Sequence, residues 1–360
     1  MGELMKTVIP FQEDYVPSNI VDRDDERMAV KRFLEPITQG QPQLYNLHVT
    51  GNVGVGKTVL TKFITRELPA MSYYIKLTEA DNTFNKILYK IINNLGVPVS
   101  PYNVPSNIAL SRMLDWLNSQ KLAILLVLDD FDKAPLYAVR CLLHEIPRGT
   151  NYCNLLIISR IPTALEELPP DTKSTLRIRP LSLKPYDAET LYQILKQRVE
   201  LALFNPTAVD DEILSQIARE ASTSGSAREA IEILKLACLE AEQNGFEAVT
   251  RDSFETALEE IERKSLQETI RDLPINHKLI LKCCRLYPRT YEEIYKEWLF
   301  KLRNMKLKEL SIYRFRDLVT DLKKLDLVRP EIKGHGRGRG FSYYLKLSPH
   351  VDPKMLEAVQ

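Results

Sequence analysis

A chain of three parts is what the sequence predicts: an α/β core on a parallel sheet, an all-helical segment, and a small C-terminal domain of three helices and a hairpin. Three observations predict it. Near-continuous apolar runs, LYNLHVT (44–50), AILLVLDD (123–130) and NLLIIS (154–159), alternate with helical stretches in the first half. Such runs belong to parallel strands covered on both faces. After about residue 185 only helical amphipathic periodicity remains, and from about Leu273 three further helical stretches precede two strand-like runs joined by GHGRGRG. The predicted divisions are 1–180, 181–271 and 272–360.

Each element has a local reason. Val59, Leu60, Phe63, Ile64 and Leu68 recur at helical spacing after the first strand. In the middle segment, Asp187, Asp210, Ser226 and Thr250 stand where helix N-caps are expected, and Gly245 suits a C′ stop. KSLQETIRDLP (264–274) reads as a separate helical connector ending at Pro274. NHKLILKCCRLY, TYEEIYKEWLFKL and SIYRFRDLVTDLKKLDLV read as three helices, RPEIK and FSYYLKL as the hairpin strands. That order describes a winged helix, a helix-turn-helix variant.

Composition narrows the class. The chain has 360 residues, 44% of them hydrophobic, enough for real cores. Its longest apolar run, LAILLVL (122–128), is too short to span a bilayer, and MGELMKTVIPFQEDY lacks a basic n-region and an apolar h-region. Five cysteines without C-x-x-C spacing and five scattered histidines predict a reduced cytoplasmic protein without structural zinc. The net charge of +1 hides an asymmetry: residues 301–346 carry thirteen Lys and Arg against five Asp and Glu. A basic end on a weakly acidic body is what a nucleic-acid footprint looks like, although solvated helices also collect lysines.

Gly51-Asn52-Val53-Gly54-Val55-Gly56-Lys57-Thr58 matches G-x-x-x-x-G-K-[ST] between a strand and a helix. Glycines let backbone N–H groups curl around phosphate, and the helix N-terminus adds a favourable dipole. Lys57 then serves the β/γ oxygens and the Thr58 hydroxyl serves Mg²⁺, which predicts ATP/ADP and Mg²⁺ as ligands. LLVLDDFDK supplies the second carboxylates: Asp129 for the metal and Asp130 in the place of a water-activating acid.

With these motifs in place, the chain resembles the archaeal origin-recognition and cell-division-control initiators, Orc/Cdc-type AAA+ ATPases. YVPSNIVDRDDE (15–26) is similar to the family's adenine-lining segment, which implicates Val16, Pro17 and Arg23. GSAREAIEIL (225–234) resembles the second sensor, which implies that Arg228 meets the γ-phosphate from an all-α lid; LLIIS-Arg160 stands at the first sensor. Residues from about Asn94 to Ser111 match, by position, the helical insertion of replication initiators. Three departures stand out: Asp130 where the family usually has Glu, Arg160 where Asn is typical, and Asp171 where an arginine is usual. A carboxylate one methylene shorter falls about 1.5 Å short, and a 1 Å misplacement costs on the order of 100-fold. Arg160 cannot accept a hydrogen bond and so cannot orient a lytic water as an amide does, but it could stabilise negative charge on the phosphate instead, which leaves the sign of its effect open. Intact binding with slow hydrolysis is therefore expected.

At the other end, Ile312, Phe315, Leu318, Val319, Leu322 and Leu325 fall on one face of the helix that starts at Ser311. Tyr313, Arg316, Asp317, Thr320 and Lys324 fall on the other, where Arg and Lys reach guanine edges or phosphates and Thr meets a thymine methyl. Arg337 and Arg339 sit on the glycine-rich hairpin tip, suited to a narrow minor groove. The resemblance implies an ATP-dependent initiator that binds double-stranded origin DNA, helps recruit the replicative minichromosome-maintenance helicase, and works beside another initiator paralogue. The alternative is a nucleotide-binding, DNA-binding regulator that loads no helicase. A remodelling motor fits less well, since neither a competent Glu nor an arginine finger is in place; Lys173 and Arg177 lie near the expected intersubunit region without an assignment.

Overall fold

A computed structural model describes residues 4–66, 71–98, 104–334 and 341–357. Five strands, β1 (Asn46–Thr50), β2 (Ser72–Lys76), β3 (Ile124–Asp129), β4 (Cys153–Ser159) and β5 (Ile178–Ser182), form a parallel sheet in the order β2-β3-β4-β1-β5. Helices α1 (Asp24–Thr38), α2 (Lys57–Thr65), α3 (Phe84–Leu95), α4 (Ser106–Gln120), α5 (Leu136–Gly149) and α6 (Pro170–Leu176) cover it. Side chains alternate across a strand, so β3 divides: Leu125 and Val127 join Phe33, Leu34, Ile37, Leu60 and Ile64 on one face. Leu126 and Leu128 join Ile87, Ile91, Met113, Leu142 and Ile146 on the other. Two covered faces are why the central strands read as unbroken apolar runs.

The sequence reading finds β1, β3 and β4 but not the edges. β2 is SYYIK, only partly buried, and β5 is IRPLS with Pro180 inside it. Edge strands need neither a continuous apolar run nor every ladder donor, so no apolar run announces them.

Helices α7 (Ala188–Ala202), α8 (Asp211–Ser222) and α9 (Ala227–Gln243) follow, with Asp187, Asp210 and Ser226 as N-caps accepting from Thr190, Glu212 and Glu229 N–H. Thr250 likewise accepts from Ser253 N–H at the head of α10 (Arg251–Asp272). The separate connector expected at 264–274 is instead the second half of α10, a single 22-residue helix; nothing between Arg263 and Asp272 breaks it, and Pro274 is the first residue that can. The chain divides within α10 into two compact units, one ending at Glu255 and one beginning at Thr256.

The second unit contains α11 (Ile275–Leu281), β6 (Arg289–Thr290), α12 (Tyr291–Asn304), α13 (Ile312–Lys324), the hairpin β7 (Val328–Gly334) and β8 (Phe341–Leu347), and α14 (Pro353–Glu357). β8 pairs with both β6 and β7, all antiparallel. Three helices and a hairpin give the winged-helix arrangement, packed around fully buried Trp298 and Phe315, whose rings lie 5.4 Å apart. A capping box between Thr290 and Glu293 starts α12. Among the described residues no helix is long and apolar enough to cross a membrane.

His48 gives the core a pH signature. It is 3% exposed on β1, with Nε2 2.8 Å from Ser159 Oγ, and burial lowers its pKa from 6.5 to about 4. Between those values the unfolded chain binds the proton and the folded chain does not, so stability falls as pH falls through that window. The loss is expected to reach about 3 kcal/mol, and His48→Gln is expected to flatten it in urea titrations at stepped pH.

Candidate nucleotide site and nucleic-acid surface

The loop from Gly51 to Gly56 connects the C-terminal end of β1 to the first residue of α2. Gly54 and Gly56 have φ of 80° and 87°, and a Cβ on them would lie 2.0 Å from Ser226 Oγ and 2.6 Å from Tyr186 Oη. Both positions thus demand glycine twice, by backbone conformation and by space. Asn52 and Val53 are exposed on the outer turn, whereas Val55 turns into the core. Lys57 Nζ donates to the carbonyls of Gly51 and Asn52 at 2.6 and 2.7 Å. Burial lowers its pKa, Arg228 adds to the lowering, and Asp129, Asp132 and Asp130 oppose it.

Asp129 ends β3 and is 1% exposed. Its Oδ2 accepts from Thr58 Oγ1 at 2.9 Å and from the Tyr74 hydroxyl, and its Oδ1 accepts from Asp130 N–H at 2.8 Å. Burial and then the Asp129 carboxylate hold the Tyr74 phenol far above the ordinary range, so it stays a donor. Thr58 and Asp129 are therefore joined as a P-loop magnesium pair requires, oxygen donors suited to a hard cation. Asp130 sits in the left-handed region at φ 53°, and its Oδ2 meets Lys133 Nζ at 2.9 Å and Lys76 Nζ at 3.8 Å. Arg160 is tied to Asp132, its N–H on Oδ1 at 3.2 Å and its Nε on Oδ2 at 2.6 Å. Burial pushes the Asp132 pKa up, yet the Arg160 hydrogen bonds outweigh it and the net shift is down. Tyr74, Lys76, Lys133 and Asp132 are absent from the sequence reading. Two stand on an edge strand with no apolar signal, and the DDFDK charges acquire meaning only once folded.

The lid helices close on this loop. Ala227 N–H, in the first turn of α9, donates to Gly54 O at 3.0 Å, and Tyr186 N–H donates to Gly225 O at 3.1 Å. That contact brings Arg228 to the mouth of the site, where its Nε lies 3.6 Å from Glu13 Oε1. The cleft so formed has a volume of about 290 Å³. Its lining includes Gly54, Gly56, Lys57, Thr58, Asp130, Arg160 and Arg228, and also Phe11, Tyr15, Pro17, Ile20, Ile194 and Arg198.

The structure puts two of the three expected base-lining residues behind the wall. Pro17 lines the cleft, but Val16 is buried and its carbonyl accepts from Arg66 Nη1 at 3.1 Å. Arg23, 4% exposed, reaches Glu26, Val55 O and Lys184 O at 3.1, 3.3 and 2.5 Å, and stacks 4.1 Å over the Tyr186 ring. It is a strut beneath the loop rather than a wall residue, because a buried guanidinium needs acceptors and the loop carbonyls supply them.

On the winged-helix unit, Tyr313, Arg316, Thr320 and Lys324 are all exposed, opposite buried Phe315, Leu318, Val319 and Leu322. Ser311 caps the helix from Arg314 N–H at 3.3 Å. Leu325, expected on the apolar face, is the C-cap residue and 46% exposed, since the helix ends before it completes the stripe. Among the described residues Arg316 has no acidic side chain within ion-pair distance, whereas Lys324 lies 3.6 Å from Asp321. Arg337 and Arg339 lie outside the described residues. The hairpin strands that lead to them carry an exposed cross-strand pair, Ile332 opposite Tyr343.

Comparison with known proteins agrees with this geometry. Residues 44–168 match the AAA domain family and residues 192–259 the Cdc6 AAA+ ATPase-type lid domain. An ORC1-type DNA replication protein of Pyrococcus horikoshii is 27% identical over 97% of this chain and 88% of its own length. ORC1-type DNA replication protein 1 of Sulfurisphaera tokodaii is 26% identical over 90% of this chain and 85% of its own. The structure of the Aeropyrum pernix ORC1 protein in complex with DNA superimposes with a TM-score of 0.74 at 25% identity, covering 100% of this chain and 97% of that one. Cdc6p of Pyrobaculum aerophilum shares the fold, with a TM-score of 0.64 at 19% identity over 99% and 97% of the two chains. The chain thus carries an AAA domain followed by a Cdc6-type lid domain, and over nearly its whole length it is similar to the Orc/Cdc-type AAA+ ATPases.

Both of the unusual site residues are paired with a counter-charge, Asp130 with Lys133 and Arg160 with Asp132. Its lid contact needs a bare Gly54. Gly54→Ala places a methyl group against Ser226 in a strained backbone. Nucleotide affinity measured by calorimetry is expected to fall about 10-fold or more, with α-helix content unchanged.

Proposed function

We propose that the chain is an ATP-dependent replication initiator that binds double-stranded origin DNA and helps bring the replicative minichromosome-maintenance helicase to it, acting beside another initiator paralogue. The observation that carries this reading is the end-to-end likeness to the Aeropyrum pernix ORC1 protein, solved in complex with DNA, in a chain that also keeps its own phosphate loop. The exposed face of α13 would meet the major groove, with Arg316 and Lys324 reaching guanine edges or phosphates. Arg337 and Arg339 would extend the contact from the hairpin into a minor groove.

In the nucleotide site, the loop N–H groups and Lys57 hold the β/γ phosphates, leaving the Gly51 and Asn52 carbonyls that now receive the ammonium. Thr58 and Asp129 would hold Mg²⁺, which neutralises phosphate charge when bound. Arg228, now near Glu13, would exchange that carboxylate for the γ-phosphate. ATP and ADP then differ in one charge-assisted contact, which is the differential interaction a switch between lid positions requires. Hydrolysis is slow in this reading, because Asp130 offers its oxygens to Lys133 and Arg160 offers its guanidinium to Asp132. The protein works in the cytoplasm, on the nucleoid.

Three measurements test the reading. Footprinting on genomic fragments is expected to protect origin repeats; protection of promoters alone would favour a regulator that loads no helicase. The double variant Arg337→Ala/Arg339→Ala is expected to weaken binding to every duplex and to flatten the plot of log K against log salt by about 0.9 per lost phosphate contact. Lys133→Ala is expected to raise single-turnover hydrolysis severalfold by releasing Asp130, while wild-type turnover above about one per second would refute the slow switch.

A further inference from the structure

Tyr74 stands on the edge strand β2, yet its hydroxyl ends inside the site. β2 runs parallel to β3 with Tyr74 opposite Val127 and Lys76 opposite Asp129. Side chains alternate along a strand, so Tyr74, Val127 and Asp129 share one face, which packs against Leu60 and Ile64 of α2. From that register the phenol reaches along the sheet, and its hydroxyl donates to Asp129 Oδ2. The half-buried ring is held beside α2, where Lys62 Nζ lies 5.1 Å from its centroid. Lys62 is one helical turn beyond Thr58. Tyr74 thus meets both elements that carry the magnesium pair.

An aspartate carboxylate turns about a soft, roughly two-fold bond, so its plane is set by what donates to it. Among the described residues Asp129 has three donors, Asp130 N–H on Oδ1 and the hydroxyls of Thr58 and Tyr74 on Oδ2. The first is backbone, fixed by the end of β3. The second belongs to a residue that must serve the metal and the carboxylate together. Tyr74 is outside the cleft lining, so its donor is not committed to a ligand. It can hold the Oδ2 edge of the carboxylate in the same place whether the cleft is empty or filled.

We propose that Tyr74 is a positioning residue for the metal: its hydroxyl fixes the Asp129 carboxylate so that Thr58 and Asp129 offer their oxygens to Mg²⁺ without rearrangement. It acts through Asp129 and contacts neither nucleotide nor metal. The proposal rests on the nucleotide-binding reading above and adds to it the group that keeps the metal pair in register.

The test removes the hydroxyl alone, because Tyr74→Phe keeps the ring, its packing and the Lys62 contact. Full-length wild type and variant are prepared as one-to-one ADP complexes. Mn²⁺, a paramagnetic stand-in for Mg²⁺, is titrated into each and read by EPR. Tyr74→Phe is expected to bind Mn²⁺ about 10-fold more weakly, the low end of the loss on removing a partner of a metal ligand. Its affinity for ADP in EDTA, measured by calorimetry, is expected to match wild type, since no group facing the nucleotide has changed. A hydroxyl that only supports the fold would lower the melting temperature and leave Mn²⁺ affinity alone, and that result would overturn the proposal. So would tighter Mn²⁺ binding by the variant, or a loss of ADP affinity as large in EDTA as with metal. Wild-type protein that binds ADP with no metal dependence removes the Thr58–Asp129 pair and this proposal with it. Wild-type protein that binds no ADP removes the phosphate-loop reading beneath both.

Discussion

The N–H of Ala227 on the carbonyl of Gly54 is the interaction on which the site depends. It joins the first turn of a lid helix to the apex of the phosphate loop, and it exists only because Gly54 has no side chain to hold Ser226 away. Through it the N-terminal end of α9, with its favourable dipole and Arg228, is held where phosphate would lie. The strut Arg23 works from beneath, taking Val55 O and Lys184 O and so tying the loop to the segment that enters the lid. Loop, lid and N-terminal segment are consequently one assembly of hydrogen bonds, and a change in any of them reaches the other two.

A second regularity is that the charges around the phosphate loop are matched inside the protein. Lys57 holds loop carbonyls, Asp130 faces Lys133, Arg160 faces Asp132, and Arg228 faces Glu13. A buried charge without a partner would be expensive, and Lys57 meets that cost with the loop carbonyls. Each local partner is also a competitor for the ligand. Lys57 can give up two neutral carbonyls at small cost, whereas Arg160 would have to leave a carboxylate at 2.6 Å.

In the winged-helix unit the constraint is steric instead. Tyr291, Tyr295 and Trp298 from α12 surround the Phe315 ring. With that face of α13 fixed by aromatic packing, the rotation of the helix is fixed too, and Tyr313, Arg316, Thr320 and Lys324 must point outward together. Packing on the dry side therefore sets which residues are offered on the wet side.

The sequence by itself determined whatever depends on neighbours along the chain: the central strands from their apolar runs, the helix starts at Asp187, Asp210, Ser226 and Thr250 from capping chemistry, and the phosphate loop from its glycine spacing. These are local because a strand face, a cap or a tight turn is decided within a few residues. Tertiary structure alone decided the edge strands β2 and β5, which carry too little apolar surface to be read. It alone brought Tyr74 to Asp129, Lys76 to Asp130, and Asp132 to Arg160. It turned Arg23 from an expected wall residue into a strut. Pairings of charge and hydrogen bond across distant segments are fixed by where the sheet and lid place backbone acceptors, and no pattern of neighbours in the chain encodes that placement.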